Sequence, residues 1–282
     1  MATKLSINEK PILTSLAISY QPTVFSAVLF PGKLEDGLKA AAANRFNAVE
    51  ISLRDPDSVD LDWIARKLDE YHLQFSAIAT GQSYLHDQLS FFTSSPGVAK
   101  SAVKRVQRFI EFAERFGANV IIGGIRGKLS GNVEEHQDQR SVGIKSIQQC
   151  ANFALDHGVT LLLEPINRYE TNLVNSAADG LEMLAEINFP NVKLLMDTFH
   201  MNIEERDIQA SIERVGEHLG YVHFADSNRW APGQGHIRFH EILTSLRKIN
   251  YQGYISAEIL PLPDHQTAAK FAGDYLAQLL TA

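Results

Sequence analysis

Four short apolar runs in this 282-residue chain each lead into a residue that can ligate a metal: TLLL into Glu164, VKLLM into Asp197, YV into His223 and YISA into Glu258. The successive intervals are 33, 26 and 35 positions, close to one strand–helix unit with its loops, since a βαβ unit takes roughly 30 residues or more. If such units close into a parallel barrel, the strand ends gather at one mouth, and four residues distant in sequence become neighbours. Three carboxylates and one imidazole facing each other repel strongly unless a cation lies between them. The pattern therefore predicts one divalent metal ion per chain. An oxygen-rich set with one imidazole suits Mn²⁺, Co²⁺ or Mg²⁺. The imidazole favours Mn²⁺ or Co²⁺ over Mg²⁺, with Mn²⁺ the expected ion, and zinc generally takes more nitrogen or sulfur. A lone Glu after a strand is ordinarily a surface ion-pair partner or a neighbour of a helix cap. Four such residues on four strand ends at barrel spacing are not explained that way.

The elements that must position these residues alternate from end to end. Strand patterns are read at 12–19, 48–53, 75–80, 119–125, 160–165, 192–198, 221–226 and 254–259. Helical patterns are read at 34–45 (despite Gly37), 60–72, 101–116, 139–158 and 176–187, and at about 207–219, 239–249 and 266–280. In the helix at 101–116, Val103, Val106, Phe109, Ile110 and Ala113 share one face at the 3.6-residue period, and Gly117 is placed to cap it. Runs such as VIIGGI and VKLLM are apolar throughout, which suits strands buried on both faces. Eight strands alternating with eight helices predict an α/β fold with a parallel sheet and helices outside. A doubly wound open sheet also alternates, but only a closed (β/α)8 TIM barrel brings all the polar strand ends to one mouth. No Pro/Gly/Ser linker divides the chain, so residues 1–282 are read as one barrel domain.

Composition narrows the class. Apolar residues make up 45% of the chain, enough for a sizeable core. The net charge of −7, without a block of like charges, argues against a nucleic-acid partner, which usually calls for a basic face. Cys150 is the single cysteine and sits in an apolar helical pattern, so it reads as a small buried hydrophobe in a reducing compartment. The leading MATKLSINEKP has no apolar targeting core, and no window approaches the roughly 20 apolar residues of a membrane span. The expected location is cytoplasmic, with no membrane partner.

With those residues placed, the chain resembles the sugar isomerase/epimerase superfamily of xylose-isomerase-like barrels. Within it the likeness is to ketose 3-epimerases, and among those to the 5-keto-L-gluconate epimerase type. The segments that carry the resemblance are AIATGQSYL (77–85), LEPINRYETN (163–172), DTFHMNIEE (197–205), VHFADSNRWAPGQGH (222–236) and AEILPLP (257–263). The resemblance implies that Glu164, Asp197, His223 and Glu258 are the metal ligands. It further implies that Glu170 contacts the substrate's terminal oxygens and that His200 holds a substrate oxygen near the metal. Arg229 can fork across two hydroxyls or a carboxylate. The ordinary alternatives are an exposed carboxylate paired with Arg168 for Glu170, a helix-end cap for His200, and an arginine bonded to loop carbonyls for Arg229. Trp230 reads equally as a platform for the sugar face or as a loop anchor. Glu50, Arg54 and Gln82, on or after the second and third strands, are candidates for the mouth. His86, His136, His157 and His218 have no partner pattern. The loop Gly233–His236 is glycine-bearing but lacks the lysine and helix of a phosphate loop.

The reaction this implies is removal of a proton from the carbon beside a ketone (C3) and its return on the other face through a cis-enediolate. The cation stabilises the negative charge, and Glu164 and Glu258 act as the acid/base pair. The substrate is a small sugar or sugar acid, and the resemblance implies a homodimer or homotetramer. An aldose–ketose isomerase of the hydroxypyruvate or hexulose type and a keto-inositol dehydratase are alternatives on the same site. A phosphate ester is disfavoured, because no Lys/Arg cluster is evident at the mouth. A DNA-repair endonuclease of this barrel type would need further histidines and a basic groove. A sugar sensor that had lost catalysis should have lost ligands, and all four positions are filled.

Overall fold

Residues 11–281 are described by the computed structural model. The segment read for a targeting core lies outside them up to Lys10, as does Ala282.

The strands form where β-branched and leucine-rich runs can be covered on both faces. They are β1 (Leu13–Ser19), β2 (Ala48–Ser52), β3 (Gln74–Ala79), β4 (Asn119–Ile122), β5 (Leu161–Leu163), β6 (Val192–Asp197), β7 (Leu219–His223) and β8 (Tyr254–Ala257). All pair in parallel with their sequence neighbours, and β8 returns to β1, giving a closed eight-stranded barrel. Its inward positions hold Ala77, Ile121, Leu162, Leu195 and Tyr221. Outward positions such as Ile18, Val49 and Ile51 join the larger core beneath the helices. The inner floor is partly polar: the hydroxyls of Ser15 and Ser76, and of Ser76 and Tyr221, are each 2.7 Å apart.

Around the barrel run α1 (Leu34–Ala43), α2 (Leu61–Glu70), α3 (Gly81–Asp87), α4 (Pro96–Phe116), α5 (Val133–Asp156), α6 (Ala177–Ile187), α7 (Thr198–Glu204), α8 (Ile208–Val215), α9 (Phe239–Lys248) and α10 (His265–Thr281). Gly117 ends α4 in the left-handed conformation, as its position predicts. Gly37 is tolerated in α1 because α1 lies close on β1. A Cβ there would stand 3.0 Å from the Ile18 side chain. α4 and α5 begin earlier than the sequence pattern indicates, at Pro96, which suits a first helical turn, and after Asn132, whose side chain caps Glu135 N. The two short helices α3 and α7 carry no apolar stripe of their own and escape a periodicity reading. The fourth strand stops at Ile122, so the glycine pair read as strand belongs to the mouth instead.

The four candidate ligands lie at the carboxyl ends of consecutive strands. Asp197 and His223 are the last residues of β6 and β7, and Glu164 and Glu258 directly follow β5 and β8. No helix among the described residues is long and apolar enough to cross a membrane.

Cys150 is fully enclosed on α5, and burial pushes its thiol well above the usual range. A disulfide reagent such as DTNB is therefore expected to leave the native protein unlabelled over an hour and to titrate one thiol per chain in guanidinium. Rapid labelling under native conditions would contradict this packing.

Candidate active site and metal centre

The carboxyl ends of β5 to β8 bring one ligand atom each from Glu164, Asp197, His223 and Glu258 within 4.8 Å of one another. His223 Nδ1 lies 3.6 Å from Glu164 Oε1, 3.7 Å from Glu258 Oε2 and 3.9 Å from Asp197 Oδ2. These separations exceed a hydrogen bond and match donors placed around a cation with bonds of roughly 2.1 Å. His223 Nδ1 and Asp197 Oδ2 are buried without a hydrogen-bond partner, an arrangement that costs free energy unless something bonds to them. The four residues thus fit a divalent ion, and they are the ones that would hold it.

Electrostatics agree with the geometry. Burial disfavours a charged His223, yet Glu50, Glu258 and Glu164 outweigh it and hold the imidazole well above its ordinary pKa. The cluster thus demands positive charge, which a bound cation supplies in place of the proton. Burial pushes Glu164 up, but His223, His200 and Arg229 outweigh it and keep its carboxyl below the usual carboxylate range. Burial, aided by Glu164 and Asp197, carries Glu258 up to about 8 against the pull of His223 and Arg229. A cation among these oxygens lowers both.

Behind the ligands stands a supporting layer. Glu50 is brought to the site, but one of its oxygens lies 2.9 Å from His223 Nε2. Donation from Nε2–H to Glu50 leaves the Nδ1 lone pair facing the cluster, the tautomer a metal ligand needs. Tyr221, two residues before His223 on β7, packs edge-on against its ring at 5.7 Å. Directly after β4, Gly123 is the residue that Glu164 requires to be small, since a Cβ there would lie 2.3 Å from Glu164 Oε2.

Arg229 donates to Glu258 Oε2 at 2.8 Å and to Glu170 Oε1 at 3.3 Å. Its guanidinium lies between the rings of Phe199 and Phe25, 4.8 and 5.3 Å from their centroids. Burial opposes its charge, but Glu258, Asp197 and Glu170 raise its pKa overall. Its backbone is left-handed, with φ 62°, a strained state for a residue with a Cβ. Bonds from Arg229 N to Asp226 O and from Leu260 N to Arg229 O, both 2.8 Å, hold it there. This turn separates neighbouring side chains. Arg229 enters the cavity, whereas Trp230, considered as a sugar platform, does not line it. Trp230 closes the turn through its carbonyl, which accepts from Asp226 N.

The other candidates divide similarly. Asn167, not singled out from the sequence, donates to Glu170 Oε1 at 2.9 Å and lies 2.8 Å from His200 Nδ1. An amide N–H at Nδ1 makes His200 neutral with its proton on Nε2, 3.7 Å from Asp197 Oδ2. Burial pushes the His200 pKa down, more than Asp197 lifts it. Gln82 is buried and donates to Ser19 and Ser52 at 2.8 and 2.9 Å, while its Oε1 has no partner. Arg54 is drawn away to Asp87 and does not line the cavity.

These groups surround a cavity of about 400 Å³, a size suited to a small ligand. The sequence shows no basic cluster at the mouth, yet the structure brings Arg126, Lys128 and Arg229 to this one cavity. Arg126 and Lys128 lie beyond β4, where no ligand pattern draws attention to them. Arg126 is fully buried and donates to the main-chain oxygen of Glu164. Burial lowers its pKa to about 10, partly offset by Glu164.

A model of the xylose isomerase-like TIM barrel matches residues 38–275. The chain belongs to the xylose isomerase-like TIM-barrel family. An L-ribulose 3-epimerase of Methylomonas sp. is 33% identical over 224 residues, covering 78% of this chain and 76% of the relative. A ketose 3-epimerase of Arthrobacter globiformis is 33% identical over 214 residues, covering 76% and 73%. The crystal structure of a D-allulose 3-epimerase from Methylomonas sp. aligns with a TM-score of 0.78 at 26% identity, covering 95% of this chain and 99% of that one.

In this member of the xylose isomerase-like family, Glu50→Gln is expected to weaken Mn²⁺ binding by about 10–100-fold, the usual cost of losing a partner behind a ligand. Gly123→Ala is expected to weaken it at least as much by displacing Glu164. Calorimetric titration of the chelator-stripped protein measures both, and an unfolding midpoint close to that of the parent separates site damage from misfolding. Unchanged Mn²⁺ affinity in both variants would refute the assigned centre.

Proposed function

We propose that this protein is a metal-dependent sugar epimerase that inverts C3, the carbon beside the ketone, of a ketose or keto-sugar acid. The observation that carries the reading is the approach of two carboxylates, Glu164 and Glu258, to one buried imidazole nitrogen, at 3.6 and 3.7 Å. They come from β5 and β8 and reach the same point from different sides of the barrel. A base on one face of a carbon and an acid on the other is what inversion by proton transfer requires. The three relatives named above are 3-epimerases, which supports the reading, and an Escherichia coli relative, 30% identical over 165 residues, is a 3-dehydro-D-guloside 4-epimerase.

When bound, a divalent ion held by Glu164, Asp197, His223 and Glu258, a donor set that suits Mn²⁺, would supply stabilisation of the negative charge that develops as the proton leaves. The chain's own residues do the rest. The carboxylate of Glu164 or Glu258 takes the C3 proton, and the opposite carboxylic acid returns one to the other face, so that the roles exchange with reaction direction. Arg229, bonded to Glu258 and stacked between two rings, fixes that carboxyl's orientation. Neutral His200 offers an Nε2–H to a substrate oxygen, and Asn167 holds it in that tautomer. Glu170 accepts a hydroxyl hydrogen, as does the free Oε1 of Gln82. No redox change occurs, and one solvent-exchangeable proton enters for each that leaves.

Glu164→Gln and Glu258→Gln are each expected to lower turnover by about 10²–10⁴-fold, the share general acid–base catalysis supplies. In deuterated buffer with Mn²⁺, proton NMR should show label at the inverted carbon, and chelation should abolish the exchange. Retention of near-parental turnover in either variant, or an unlabelled inverted product, would exclude the two-carboxylate scheme. Label transferred to a neighbouring carbon with an aldose product would identify an aldose–ketose isomerase instead.

A further inference from the structure

Arg126 and Lys128 follow β4 on one loop, both line the cavity, and the proton transfer uses neither. Their surroundings differ from those of Arg229, which is supplied with carboxylates. Arg126 is 1% exposed, its Nε has no hydrogen-bond partner, and its recorded acceptor is the uncharged main-chain oxygen of Glu164. Among the described residues Arg126 and Lys128 enter no ion pair. The charge of Glu164 is felt there but forms no ion pair with it, and a buried guanidinium without a direct ionic partner is costly, so its retention beside a cavity points to a negative group that arrives from outside.

The loop is also rigid. Asn172 accepts from Leu129 N and donates to Leu129 O, both at 3.0 Å. Gln139 accepts from Ser130 N at 3.0 Å and donates to Ser130 O at 2.6 Å. Thr171 Oγ1 donates to Gly127 O at 3.3 Å. Gly127 has φ 85° and lies against Ser90, where a Cβ would come within 2.6 Å of the Ser90 side chain. The main chain on both sides of Lys128 is thus fixed while its ammonium stays free, which is how a recognition group is preorganised.

We propose that the β4 loop is an anion subsite, in which Arg126 and Lys128 receive a carboxylate or phosphate carried by the sugar away from its reacting carbon. The cavity then divides into two zones. At the strand ends of β5 to β8, carboxylates outnumber cations and call for a metal. At the β4 loop, two cations stand outside any ion pair and call for an anionic substituent. A guanidinium fork and an ammonium serve carboxylate and phosphate oxygens alike. The proposal rests on the epimerase reading only in calling the ligand a sugar.

The test uses the full-length, Mn²⁺-loaded protein and three matched compounds: a neutral ketohexose, the corresponding keto-hexonate and the ketohexose phosphate. Relative kcat/KM is read from deuterium incorporation. The parent should prefer one anionic compound to the neutral one by at least about tenfold, and Lys128→Met should lower that preference by about tenfold, the scale of one charge-assisted hydrogen bond. Lys128→Arg should largely keep it. Lys128 is the residue to change because Arg126 also holds the Glu164 main chain. The better anionic compound separates a carboxylate subsite from a phosphate one. Calorimetric binding of gluconate and of inorganic phosphate provides a readout independent of turnover, and Lys128→Met should weaken whichever binds. Equal use of all three compounds by the parent, or an equal effect of Lys128→Met on neutral and anionic ones, would overturn the subsite. If none of the three exchanges deuterium, the epimerase reading fails, while the binding measurement still decides the subsite.

Discussion

Three carboxylates converging on one buried imidazole nitrogen form a charge arrangement that protein groups alone satisfy poorly. The surrounding carboxylates hold the His223 imidazole well above its ordinary pKa, and Arg229 offsets part of their charge by donating to Glu258. Even so, buried atoms of His223 and Asp197 remain without partners. The barrel creates this convergence by ending four consecutive strands at one rim, and a small doubly charged ion would resolve it. The neighbouring features follow from that requirement: the carboxylate behind His223, the glycine that leaves Glu164 its space, and the arginine held in a strained turn.

The supporting layer shows why such a centre needs a whole domain. Glu50 sits at the point where the pairing of β2 with β3 shifts register, so the carboxylate behind His223 depends on an irregular strand. Below it, serine and tyrosine hydroxyls replace the bulky branched residues that usually fill a barrel. They let Tyr221 stand upright against the imidazole with its oxygen satisfied. Asn167 performs a comparable service for His200, whose tautomer is set by one amide hydrogen.

The fold and the convergence of the four candidate ligands were legible in the chain because both depend on local signals. Apolar runs mark the strands, and a ligand after each of four runs marks the rim. Residues whose role comes from long-range approach were not legible. Gly123 looked like part of a strand, since nothing nearby in sequence reveals that Glu164 will press against it. Glu50 was readable as one of three candidates for the mouth but not as bonding to His223, 173 positions away. Arg126 and Lys128 are two charged residues in an unremarkable loop until closure of the barrel turns them to the cavity. Trp230 illustrates the converse: adjacency to Arg229 suggested a shared direction that a left-handed residue abolishes.

All four ligands come from β5 to β8, whereas much of the remaining cavity wall, including Phe25, Tyr84, Leu85, Arg126 and Lys128, follows β1, β3 and β4. The rim cluster and much of the opposing wall are therefore encoded in opposite halves of one gene, although Glu50 and Gly123 of the first half still support His223 and Glu164. A chimera exchanging the halves of two relatives would therefore keep an intact rim only where the incoming first half still carries a carboxylate behind His223 and a glycine beside Glu164.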